Sequence, residues 1–325
     1  MFVALDINFW SIIFAFIGTA ISVVSLIFAI FIYNKSKIIS KETNEILIEI
    51  RKDQGNSFEV VSSLFDRLGF TEPKTAKEWF LKGNSAYNNR NYEEAIKYYG
   101  ESIKLNPKFA ETHNALGLVY TEGKQNYYEA IKCFELSTQI NPKNAEAFAN
   151  WANALRKLAI LNENKELLEE SIKKYKKSAE LIPYNDLVFF NWAGALYMLA
   201  KFNGDKKLFK ESIKKYEKAT KLNPNNDLAY TNWGIALSYL ANMRQDVNLF
   251  EQAFEKYEQA FKINPKNTYN LSCGYALLGK KEKALHYLGE SLENKRITVD
   301  WVLKDEDWKN HLTDNEFINL LTKYK

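Results

Sequence analysis

PKNAEAFANWANALRKLAILNENKELLEESIKKYKKSAELIP, residues 142–183, is one period of a chain that copies itself. Pro142, Pro183, Pro224 and Pro265 stand 41 residues apart. Trp151, Trp192 and Trp233 keep that interval, as do Tyr175, Tyr216 and Tyr257. Around the tryptophans, Asn-Trp-Ala, Asn-Trp-Ala and Asn-Trp-Gly recur at 150–152, 191–193 and 232–234. Three registers held in step mark a structural repeat, in which one unit cannot bury its apolar face alone and neighbours stack to bury it. Small residues at Gly83, Ala95, Gly117, Ala130, Ala152, Gly234 and Ala253 permit close helix–helix approach, and the reading is all-α.

The pattern extends to both sides. KEWFLKGNSAYNNRNYEEAIKYYGESIKLNP, residues 77–107, carries Trp79, Gly83, Ala95, Tyr99, Ser102 and Pro107. Residues 111–142 carry Leu116, Gly117, Tyr120, Ala130, Phe134 and Pro142, and Asn270 to Leu292 has Leu271, Ala284 and Leu288 in step. These motifs resemble the tetratricopeptide repeat (TPR) family, in its membrane-anchored bacterial type. The resemblance implies a right-handed superhelical solenoid of about six helix pairs over residues 76–292, three of them 41-residue variants. Seven extra residues equal about two helical turns, so one added turn per helix keeps each core face in place. Asn162–Asn164, Asn203–Asp205 and Gln245–Asp246 are then the displaced turns. Residues 293–325 resemble closing helices that cap the last pair with Trp301, Trp308, Leu312, Phe317 and Leu320.

The N-terminal quarter reads differently. Residues 9–33, FWSIIFAFIGTAISVVSLIFAIFIY, hold no charge over 25 positions, long enough for a transmembrane helix behind which the solenoid follows. Residues 1–8 contain no Lys or Arg, whereas Lys35, Lys37 and Lys41 follow the span. That asymmetry predicts a short external N-terminus and a cytoplasmic repeat domain at the cell inner membrane, single-pass. Ser11, Ala15, Gly18, Ser22, Ser25 and Ala29 form a small-residue seam, a candidate face for transmembrane self-association into a homo-oligomer. Residues 34–75 read as a helical stalk and linker, ending where Thr75 and Glu78 form a capping box.

Composition excludes much chemistry. The chain has 325 residues, a net charge of +4 and six Arg, so nucleic acid is not expected as a partner. Two cysteines and three histidines show no metal-ligand spacing, and no cofactor is expected. Gly274 to Lys281 approximates a phosphate-binding loop but has Lys281 where Ser or Thr is needed. No nucleophile–base constellation supports an enzyme. The lysine pairs at 173–174, 214–215 and 280–281 recur with the repeat and read as the solvated outer face of second helices.

A binding surface is what survives. The resemblance implies a groove formed by the first helix of each pair, holding a protein or peptide partner. Asn150, Asn191, Asn232 and Asn270 form a ladder that either grips a peptide main chain or joins neighbouring repeats. Phe80, Asn84, Tyr87, Asn153, Phe190, Tyr197 and Tyr239 are further candidates on the same helices, as binding anchors or as packing. The pattern by which some relatives hold a C-terminal carboxylate is incomplete: Asn84 matches, but Phe80, Ala115 and Glu146 stand where Lys, Asn and a base are required. The expected function is a non-catalytic, membrane-anchored scaffold or adaptor, with the lipid bilayer engaged through residues 9–33. The alternative is a sensor or regulatory subunit of a membrane complex for secretion, envelope assembly or defence, and an RNA-binding helical repeat comes after both.

Overall fold

The computed structural model describes residues 75–325. The expected span at 9–33, its small-residue seam and the stalk at 34–74 lie outside the described residues. No helix among the described residues is long and apolar enough to cross a membrane. The chain divides into two compact units, Met1–Asn106 and Pro107–Lys325.

In the first unit, α1 (Ala76–Asn88) and α2 (Tyr92–Leu105) form a hairpin. The Thr75 hydroxyl accepts from the Glu78 amide at 3.2 Å, and the Glu78 carboxylate accepts from the Thr75 amide at 3.1 Å, closing the capping box. A Cβ on Gly83 would collide with the Tyr99 ring, so only glycine lets the two helices approach.

The second unit stacks five hairpins: α3 (Ala110–Glu122) with α4 (Tyr127–Ile140), α5 (Ala145–Leu161) with α6 (Lys165–Leu181), α7 (Asp186–Asn203) with α8 (Lys206–Leu222), α9 (Asp227–Arg244) with α10 (Val247–Ile263), and α11 (Thr268–Leu277) with α12 (Lys281–Glu293). Helices α3 and α4 have 13 and 14 residues, whereas the first and second helices of the next three pairs have 17 or 18. The added residues are a turn on each helix. The prolines mark the turns, and the asparagine two residues on caps the next helix: Asn144, Asn185 and Asn226 accept from the amides of Ala147, Val188 and Ala229 at 3.1, 3.3 and 3.0 Å.

Each repeated tryptophan shares a core cluster with the second helix of the preceding pair: Trp151 with Ala130 and Phe134 of α4, Trp192 with Tyr175 and Ala179 of α6, and Trp233 with Tyr216 of α8. Second-helix serines lock the first helices to them: Ser137 and Ser178 donate to the carbonyls of Ala110 and Ala145, both at 2.8 Å. Gly274 belongs to this packing. A Cβ there would lie 2.9 Å from both Phe254 and Tyr257, and Gly279 (φ +68°) makes the turn into α12, so the stretch is a helix and its turn.

The chain closes with α13 (Val299–Val302), a 3-10 turn η1 (Glu306–His311) and α14 (Asn315–Lys323). Trp308 is fully buried with its ring 5.1 Å from Phe317, and Leu320 is half-buried. Trp301 and Leu312 do not share that role: they are 61% and 42% exposed. The helix α13 is one turn long and buries Val299 and Val302, which leaves Trp301 on its outer side.

Candidate functional site

The first helices of consecutive pairs touch along one face of the second unit, α3 with α5, α5 with α7 and α7 with α9. The asparagine ladder runs along these helices. At its start the amides bond to each other, Asn150 Nδ2 donating to Asn114 Oδ1 at 3.2 Å, with Asn114 buried. This rung joins repeats. Further along, Asn191, Asn232 and Asn270 are half-buried and their side chains make no hydrogen bond among the described residues. One sequence pattern therefore yields two environments.

Asn84 and Asn153 are occupied within their own pairs. The Tyr99 hydroxyl donates to Asn84 Oδ1 at 2.7 Å, and the Tyr175 hydroxyl donates to Asn153 Oδ1 at 2.6 Å. Burial pushes both phenols up in pKa, so they remain neutral donors. In the next pair Gly194 replaces the asparagine, leaving a space beside the Tyr216 hydroxyl.

The candidate aromatics are half-buried and pack on one another. Phe80 lies 6.0 Å from the Tyr99 ring, and Tyr87 lies 6.2 Å from Tyr92. Phe190 meets Tyr216 at 6.0 Å, while Tyr197 sits 5.7 Å from Phe209 and 5.5 Å from Tyr239. Lys201 donates to the Tyr239 hydroxyl at 2.9 Å. Burial raises Tyr197 well above the usual phenol range, reinforced by Tyr239 and by the more distant charge of Asp307. Phe190, Tyr197 and Tyr239, with Phe209 and Tyr216, form a wall of half-buried and buried rings between α7, α8 and α9.

Two features are not in the sequence reading. Lys174 and Lys215, assigned to the solvated face, and Lys256 lie over the tryptophans: they place Nζ 3.4, 3.8 and 4.6 Å from the ring centroids of Trp151, Trp192 and Trp233. The constant spacing of 23 residues between each Trp and its Lys was the available signal. Burial lowers Lys215, with Glu211 opposing and Lys176 and Lys214 adding to the shift.

The second feature concerns metal ligands. The expectation of none counted histidines and cysteines only. Cys273 Sγ and carboxylate oxygens of Asp305 and Asp307 lie within 4.8 Å of one another. The Tyr269 hydroxyl donates to Asp305 at 2.7 Å. Burial and the adjacent Asp305 charge push Asp307 up to about 7, and burial raises the Cys273 thiol. These groups come from α11 and the closing segment, more than 30 residues apart.

Residues 76–109 and 110–144 each match a tetratricopeptide repeat family, and residues 183–287 match the plant-specific mitochondrial import receptor subunit TOM20 family. A 67-residue stretch is 34% identical to the Hsp70-Hsp90 organizing protein of Triticum aestivum, covering 21% of this chain. Hsp70-Hsp90 organizing protein 1 of Glycine max matches equally, and the chain spans 12% of the length of these relatives. Among solved structures, MamA is 20% identical with a TM-score of 0.47, covering 59% of this chain and 96% of that one. YrrB, a TPR protein with an unusual peptide-binding site, is 20% identical with a TM-score of 0.47, covering 64% and 93%. The chain thus carries tetratricopeptide repeats in helix pairs. The expected location at a cell inner membrane, N-terminus outside and repeats cytoplasmic, is corrected by the match of residues 183–287 to a mitochondrial import receptor family, which points away from that membrane.

Proposed function

We propose that the chain is a non-catalytic scaffold that holds an extended peptide of a protein partner across the first-helix face of α7, α9 and α11. The observation that carries this reading is the set of three half-buried amides, Asn191, Asn232 and Asn270, with no partner within the described residues. An amide offers both a donor and an acceptor, as a peptide main chain requires. Packed helices lie about 8–10 Å apart and an extended chain rises about 3.3 Å per residue. A ligand crossing the helices would therefore meet one amide roughly every three residues. Phe190 and Tyr197 supply apolar wall beside the path.

Peptides selected from a random displayed library on the full chain provide the probe. Asn191→Ala with Asn232→Ala removes two rungs. At about 0.5–1.5 kcal/mol per hydrogen bond, affinity should fall roughly tenfold or more with the melting temperature retained. Asn150→Ala, which breaks the Asn114–Asn150 bond, should lower stability and leave affinity unchanged. Lost stability with intact affinity in the double variant would overturn the reading.

A further inference from the structure

We propose that Cys273, Asp305 and Asp307 form a zinc site that clamps the closing segment onto α11. Three observations carry it. The ligand-capable atoms already converge: Cys273 Sγ stands 4.0 Å from Asp305 Oδ2, and all three lie within 4.8 Å. A tetrahedral zinc ion with bonds of about 2.0–2.3 Å needs ligand atoms about 3.5 Å apart, so the groups must close by about an ångström.

The second observation is uncompensated charge. Among the described residues no Lys, Arg or His makes an ion pair with Asp305 or Asp307, and Lys309 instead reaches Glu306 at 3.8 Å. Two carboxylates are costly to gather beside a buried thiol without a cation.

The third is independent of the acids. Trp308 is fully buried, its indole N–H faces Cys273, and its Nε1 has no hydrogen-bond acceptor. A neutral thiol is a weak acceptor. A metal-bound thiolate is a good one, and hydrogen bonds to ligand atoms are the usual support of a metal site. The Tyr269 hydroxyl already gives Asp305 such support at 2.7 Å. Thiolate with carboxylates suits zinc, because calcium and magnesium take oxygen alone. Three protein ligands leave the fourth position to water.

The site would do structural work. The closing segment packs on the α11–α12 pair, sharing its core through Val302, Trp308 and Phe317. A bond from α11 to Asp305 and Asp307 fixes η1, and with it Trp308, over that end.

The full chain, stripped with a chelator, is titrated with zinc against a chromophoric chelator and, separately, with cobalt. The expected result is one ion per chain and a thiolate-to-cobalt charge-transfer band. Cys273→Ser abolishes the band, and Asp305→Asn and Asp307→Asn each weaken zinc binding at least tenfold. Cys133→Ser, which alters the other buried cysteine, changes nothing. The proposal is overturned by absence of binding, by a band that survives Cys273→Ser, or by one lost equally in Cys133→Ser. Should Cys273→Ser unfold by circular dichroism, Asp305→Asn decides, because it keeps the thiol: unchanged zinc affinity there sinks the site.

Discussion

Glycine to alanine at two positions of the same scaffold should change stability in opposite directions. On Gly234 in α9, a Cβ would lie 2.5 Å from Tyr257 Cε1 and 2.7 Å from Cδ1. Favourable carbon contacts lie at about 3.5–4.0 Å, an overlap near one ångström. The ring cannot retreat, because Gly274 approaches its other edge and a Cβ there would stand 2.9 Å from Tyr257 Cδ2. Tyr257 is a wedge between two glycines, whereas its counterpart Tyr216 sits with Ala193 and Ala236. Gly234→Ala should cost about 1–3 kcal/mol, the range for overpacking. On Gly194 in α7 the nearest atom is the Tyr216 hydroxyl oxygen at 3.7 Å, an ordinary contact. There the added methyl removes backbone entropy from the unfolded chain and should stabilise by about 0.5–1 kcal/mol. At roughly 2–4 °C per kcal/mol, thermal melts followed by circular dichroism resolve the difference in sign. If Gly234→Ala is neutral or stabilising, or Gly194→Ala falls as far, the close-approach account of this packing is wrong.

Trp308→Ala should destabilise the closing segment by about 3–5 kcal/mol, while Trp301→Ala, at an exposed ring, should stay within about 0.5 kcal/mol; urea unfolding of the two variants separates them, and equal losses would contradict the burial seen here. At Asp227, burial works to raise the pKa but the amides of Asn264 and Asn267, at 2.8 and 2.9 Å, hold it below the ordinary value. A depressed folded pKa contributes stability above the unfolded value, about 3.9, lost as pH falls through the folded one. Asn264→Ala with Asn267→Ala should therefore lower the melting temperature at neutral pH and flatten its decline below about pH 4; an unchanged decline would remove Asp227 from the acid response.

Much of the fold was legible because each pair contacts only its neighbours, so the packing of Trp151, Trp192 and Trp233 repeats wherever the residues repeat. The extra turns of α5 to α10 follow from the 41-residue interval for the same reason. The ladder was legible as a pattern but not in its use. Asn150 finds Asn114, buried in a shorter pair, while Asn191 and Asn232 find no such partner among the described residues, a difference made by neighbouring helices and invisible in the identical Asn-Trp dipeptides.

What the sequence by itself determined is the repeat: its period, its paired helices and the small and aromatic residues that interlock. Which side chains of the closing segment are buried, and what they meet, was decided by tertiary structure, because nothing there repeats and periodicity carries no information. That structure buried Trp308 while leaving Trp301 exposed, and it brought Asp305 and Asp307 to Cys273 from 32 and 34 residues away. The physical reason is that the cap meets α11 and α12 through contacts that do not recur elsewhere among the described residues, so the repeat offers no second copy from which to read them.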